Sequence, residues 1–156
     1  MKSSNRGVAA VEFSIMLPLL LLLAFTTGEI GRALFQYSHL TRMVRDAGRY
    51  LSTTAIPNTT ESVPDPLDDG SCQNCISNTK DILVYGFIGG TVPLLRGLST
   101  SNVNIAAIPS TDSVTITVDY DWQPLFGEGA SHFGLGEQAS TDLSFNMQVS
   151  YTIRAL

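Results

Sequence analysis

Residues 11–28 read VEFSIMLPLLLLLAFTTG, and the fold turns on whether this run lies in hydrocarbon or in a protein core. No charged side chain occurs from Phe13 to Gly28. With Val8–Val11 included, the apolar stretch reaches the ~20 residues that a bilayer-spanning helix needs. Pro18 sits inside it, where the ring displaces the carbonyl of Ser14 and predicts a kink. In hydrocarbon a neighbouring helix then has to satisfy that carbonyl. A cleavable secretory signal has an apolar region of similar length. Its small-x-small cleavage site is missing here, because Phe25 is followed by Thr26, Thr27, Gly28 and Glu29. A plain signal-anchor helix is the other reading.

Beyond Gly28 the helical pattern continues. Ile30, Ala33, Leu34, Tyr37, Leu40, Val44, Ala47 and Leu51 recur at intervals of three and four, the spacing of one amphipathic stripe. Glu29 and Arg32 stand three apart, which predicts a local ion pair at the outer interface. Arg42, Arg45 and Arg49 fall on another face, as a solvated stripe or as a contact for anionic lipid or an acidic neighbour. A continuous helix from about Ala9 to Ser52 would be roughly 65 Å long at 1.5 Å per residue. Half of it would span the membrane and half would project.

Charge is divided along the chain. Residues 1–53 carry six basic side chains against three acidic ones, a balance of +3; residues 54–156 carry three against eleven, a balance of −8. So acidic a second half excludes nucleic acid, which is bound through basic surface. Two cysteines, Cys72 and Cys75, are too few for a disulfide framework. With only His39 and His132 beside them they do not supply the four converging ligands of a structural zinc site. No Gly-rich phosphate loop and no Gly-x-Ser-x-Gly elbow occurs. The sequence therefore carries no enzyme signature, and it implies no cofactor, no metal and no small-molecule substrate.

The remainder reads as a small mixed domain. Residues 54–71, with Pro57, Pro64, Pro66 and several acids, form a linker. Asn58-Thr59-Thr60 fits a glycosylation acceptor, a match common by chance. A short helix is predicted from about Cys75 to Tyr85. NVNIAAI, SVTITVDYDW and LSFNMQVSYTIRAL alternate apolar and polar residues and read as strands. In the second, Val114, Ile116, Val118 and Tyr120 face one side, and Thr115, Thr117, Asp119 and Asp121 the other. Trp122 and Phe126, flanking Pro124, read as packing residues, with an exposed aromatic patch as the alternative. The fold class is α+β: a long N-terminal transmembrane and projecting helix with a small antiparallel-sheet head.

The N-terminal residues RGVAAVEF, Arg6–Phe13, place a carboxylate at the mouth of the apolar run. Carried to the bilayer centre, Glu12 would cost about 2.5–3.5 kcal/mol. If the chain were cut after Gly7, Val8 would become the new amino terminus, with its α-ammonium one turn from Glu12. That pairing would offset the cost and set the axial register of packed helices.

A short basic leader ending in Gly7, then Glu12, then an apolar run resembles the class III signal of type IV pilin-like proteins. Glu29–Arg32 (EIGR) and Ala47–Tyr50 (AGRY) make AAVEFSIMLPLLLLLAFTTGEIGRALFQYSHLTRMVRDAGRY similar to TadE-like minor pilins of tight-adherence pili. LVYGFIGGTVPLLRGLSTSNV and VTITVDYDWQPLFG extend the resemblance through most of the chain. Cys72 and Cys75 depart from the family's usual pattern. The resemblance implies a prepilin leader (1–7), a transmembrane helix (8–28), a projecting helix (29–53), the linker (54–71) and an extracytoplasmic head (72–156). It implies cleavage between Gly7 and Val8 by a prepilin peptidase, and an assembly and register role for Glu12 with Phe13. Its partners would be other pilins, pilus assembly proteins and membrane lipid, and its role surface attachment without catalysis. The N-terminus would be cytoplasmic and the head periplasmic or extracellular. Positive charge on both sides of the apolar run leaves the orientation to the acidic head and to a candidate disulfide of Cys72 with Cys75. Two other readings stay open: a secreted binding domain released near residue 27, and a membrane-tethered thiol oxidoreductase using the two cysteines.

Overall fold

The computed structural model describes residues 6–54, 67, 74–125 and 144–154. Helix α1 runs from Arg6 to Thr54, 49 residues, and continues through Pro18. In its apolar half the hydroxyls are satisfied by the helix itself. Ser14 donates to the Ala10 carbonyl at 2.8 Å, Thr26 to Leu22 at 3.0 Å, and Thr27 to Leu23 at 2.8 Å. Such back-bonding lets polar side chains sit in a medium that offers no partners.

The chain divides into two compact units, Met1–Phe35 with Gln123–Ser144, and Gln36–Trp122 with Phe145–Leu156. The first holds the apolar part of α1, whose large side chains are uncovered from Val8 (70% exposed) to Leu23 (64%).

The second unit holds a three-stranded antiparallel sheet of β1 (Val103–Ile108), β2 (Ser113–Trp122) and β3 (Phe145–Arg154), in the order β1-β2-β3. Strand β2 is central. Val118 stands opposite Val103 and Val149, Ile116 opposite Ile105 and Tyr151, and Val114 opposite Ala107 and Ile153. The period-2 alternation works as the sequence predicts: Val114, Ile116, Val118, Tyr120 and Trp122 are all buried. The other face of β2 is polar and partly open. There Thr115 bonds Thr152 across the strands at 3.0 Å, and Gln148 donates to Asp119 at 2.8 Å.

The second part of α1 covers the apolar side of this sheet. Leu40, Met43, Val44, Ala47 and Leu51 are buried, and Gly48 lies where an added Cβ would be 2.8 Å from the Tyr151 ring and 3.0 Å from Ile153. The stripe expected from the sequence is therefore only partly used. Ile30, Leu34 and Tyr37 are 62%, 65% and 47% exposed. At 100° per residue they sit to one side of the arc that carries Leu40, Val44, Ala47 and Leu51, and only that arc is covered. Met43, on the opposite flank, is buried instead.

Helix α2 (Cys75–Tyr85) buries Cys75, Thr79, Leu83 and Val84. It ends at Gly86, whose φ of 84° is the left-handed C-terminal conformation that glycine adopts without a Cβ penalty. Trp122 is buried, with its ring centroid 4.9 Å from that of Phe145, while Phe126 lies outside the described residues.

Candidate functional site

The residues singled out at the N-terminus lie on the first turns of α1. Gly7 has open space where a side chain would stand, and Val8 and Phe13 are 70% and 60% exposed. Val8 and Glu12 are four apart on the same helix, hence neighbours on one face. Glu12 is exposed and has no hydrogen-bond or ion-pair partner among the described residues. A carboxylate thus stands uncovered on a helix whose neighbouring side chains are apolar.

At the other end of the uncharged run lies a node of partly buried polar contacts. The Glu29 Oε2 accepts from Arg32 Nε at 3.2 Å and Nη2 at 3.0 Å, with the two side chains 7% and 27% exposed. The remaining oxygen, Oε1, accepts the backbone N–H of Leu125 at 3.1 Å, and Arg32 Nη2 also donates to the carbonyl of Gln123 at 2.7 Å. The local ion pair expected from the three-residue spacing is present. Its second function, holding Gln123–Leu125, was not foreseen. The available signal was Pro124: a segment leaving a strand around a proline has unpaired backbone groups that must bond elsewhere.

Arg42, Arg45 and Arg49 are exposed along α1. Cys75 is fully buried and disulfide-bonded; Cys72, the other cysteine of the sequence, lies outside the described residues, as does His132. His39 is half-buried with Nδ1 3.0 Å from the Met43 sulfur. Among the described residues no group of three or more His, Cys, Asp or Glu side chains is placed to hold a metal ion.

A helix long and apolar enough to cross a membrane, with none of its most apolar stretch buried, followed in the chain by a small antiparallel sheet, makes an α+β architecture compatible with a single-pass membrane anchor. Residues 7–49 match the family of TadE-like proteins, the family that the N-terminal sequence resembles. The match covers most of α1 and stops before the strands. Neither the curated proteins nor the solved structures contain a match to the chain.

Proposed function

We propose that the protein is a non-catalytic minor pilin of a tight-adherence pilus, cut between Gly7 and Val8 by a prepilin peptidase. The observation that carries this reading is the family match to residues 7–49, which begins at the residue preceding the proposed cut. Cleavage would put the new α-ammonium of Val8 one turn from Glu12, on the same helix or on an adjacent one. In a low-dielectric bundle, pairing the two charges offsets the cost of each, and a displaced register leaves both unpaired. Phe13, exposed beside Glu12, would pack into the same bundle or into lipid.

Residues 8–28 would span the cytoplasmic membrane with the N-terminus inside, residues 29–53 would project, and the head, residues 72–156, would lie outside beyond the linker at 54–71. Partners would be the peptidase, other pilins and pilus assembly proteins. Cys75 would pair with Cys72 as a structural disulfide. Burial of Cys75 supports this over thiol exchange, which needs an accessible sulfur.

The test is the N-terminal residue of the protein from native membranes, by intact mass, with and without the peptidase. A start at Val8 that depends on the peptidase is expected. An uncut Met1 would leave a signal-anchored domain, and a start near residue 27 a secreted one; either sinks the proposal.

A further inference from the structure

Arg42, Arg45 and Arg49 are exposed and have no ion-pair partner among the described residues. At 100° per residue they lie within about 60° of helix surface, a single ladder beside which Asp46 is the one acid. Like charges at these spacings cost a helix about 0.2–0.5 kcal/mol per pair, so the ladder works against α1 when nothing faces it.

Anionic lipid does not fit as its partner. The uncharged run ends at Gly28, and Glu29 and Arg32 are engaged just beyond it. Arg42 stands a further ~21 Å of helix rise away and Arg49 ~31 Å. The headgroup zone is only about 5–8 Å deep on each side.

An acidic protein surface fits, and this chain carries one. On the open face of β2, Asp121 is exposed and Asp119 is half-exposed, with one hydrogen bond from Gln148. Their strand neighbours on that face are Asn146 and Gln148; the basic Arg154 stands opposite Ser113 at the other end of the sheet. Alternate strand residues are about 6.8 Å apart and successive helix turns about 5–6 Å, a mismatch that an arginine stem absorbs. Guanidinium and carboxylate then meet as charge-assisted, bidentate pairs.

We propose that the Arg42–Arg45–Arg49 ladder of one copy docks on the Asp119–Asp121 face of a second copy. The two surfaces are different, so the contact is heterologous and repeats along a filament instead of closing a dimer. It goes beyond the pilin reading and requires neither the cut after Gly7 nor a role for Glu12.

The experiment is energy transfer between two dye-labelled populations of the full-length protein in phosphatidylcholine vesicles, with each variant's fold checked by thermal melting. R42E/R45E/R49E and D119R/D121R should each weaken association at least fivefold, and mixing the two should restore it. The milder R45Q/R49Q should give an intermediate loss. In about 1 M salt, where the Debye length is ~3 Å, the wild type should fall to the level of the single-sided variants. Wild-type association in both charge-reversed variants, or a mixture that stays dissociated, overturns the proposal. So does an effect confined to the arginine variant, which would assign the ladder to another acidic partner. A dependence on added phosphatidylglycerol would assign it to lipid and also overturn it.

Discussion

The Glu29 carboxylate accepts the backbone N–H of Leu125 at 3.1 Å, across 96 positions of sequence. Its ion-pair partner Arg32 holds the Gln123 carbonyl at 2.7 Å. Pro124, between the two, has no N–H, so the Leu125 N–H is the first backbone donor after that of Gln123. Two charged side chains one turn apart on α1 therefore fix both ends of the tripeptide. In Glu29→Ala the Leu125 N–H loses a hydrogen bond to a charged group, a change worth about 1.5–3 kcal/mol. Leu125 amide exchange should accelerate about 10–150-fold. Glu29→Gln should resemble it, because an amide that turns its oxygen to Leu125 presents a donor to Arg32. Equal exchange in variant and wild type would remove this role from Glu29.

At Gly48 α1 comes close to β3. A Cβ there would lie 2.8 Å from the Tyr151 ring, so the ring has to move. Overpacking costs about 1–3 kcal/mol, and the better helix propensity of alanine returns about 1. Gly48→Ala should be destabilised by up to about 2 kcal/mol in thermal unfolding. Gly31→Ala is the control: nothing lies within 4 Å of its Cβ, and it should be unchanged or up to about 1 kcal/mol more stable. Equal stability of the two variants would mean that the helix–sheet spacing does not depend on Gly48.

The strands were legible because burial on one face of a sheet imposes a period of two, and β2 keeps it from Val114 to Trp122. The end of α2 was legible from Gly86. The amphipathic half of α1 was less so. Its stripe includes Ile30, Leu34 and Tyr37, which are apolar but exposed, because periodicity reports which residues share a face and not what covers it. The Glu29 and Arg32 contacts show the same limit. Their pairing follows from a spacing of three, whereas the bonds to Gln123 and Leu125 depend on a chain path that no local pattern encodes.

Ile116 has no exposed surface and stands between Ile105 and Tyr151 on the neighbouring strands. Ile116→Ala removes buried carbon and leaves a cavity that two hydrogen-bonded strands cannot easily collapse, a loss of about 2–5 kcal/mol. Thr117→Ala, one residue along on the partly open face, should stay within about 0.5–1 kcal/mol of wild type. Chemical denaturation of the two variants side by side tests the facing. A larger loss at Thr117 would mean that the open face is the one covered.

On the proposed role of Glu12, its removal would act on anchoring and on assembly with opposite signs. Replacing the carboxylate by an apolar side chain relieves a cost that reaches about 2.5–3.5 kcal/mol at the bilayer centre. Glu12→Leu should therefore hold α1 in the membrane at least as firmly as wild type. If the pairing with the amino group of Val8 sets register between helices, the same variant should be cut after Gly7 as before but recovered in sheared pili at least tenfold less. Glu12→Asp keeps the charge on a shorter stem and should fall between the two. Gly7→Lys should block the cut and lose the pilus fraction while Glu12 is intact, because no α-ammonium then stands at Val8. Three quantities need measuring in each variant: the N-terminal residue, the amount in membranes and the amount in the sheared fraction. Wild-type recovery of Glu12→Leu in pili would show that the uncovered carboxylate at the start of α1 serves something other than assembly.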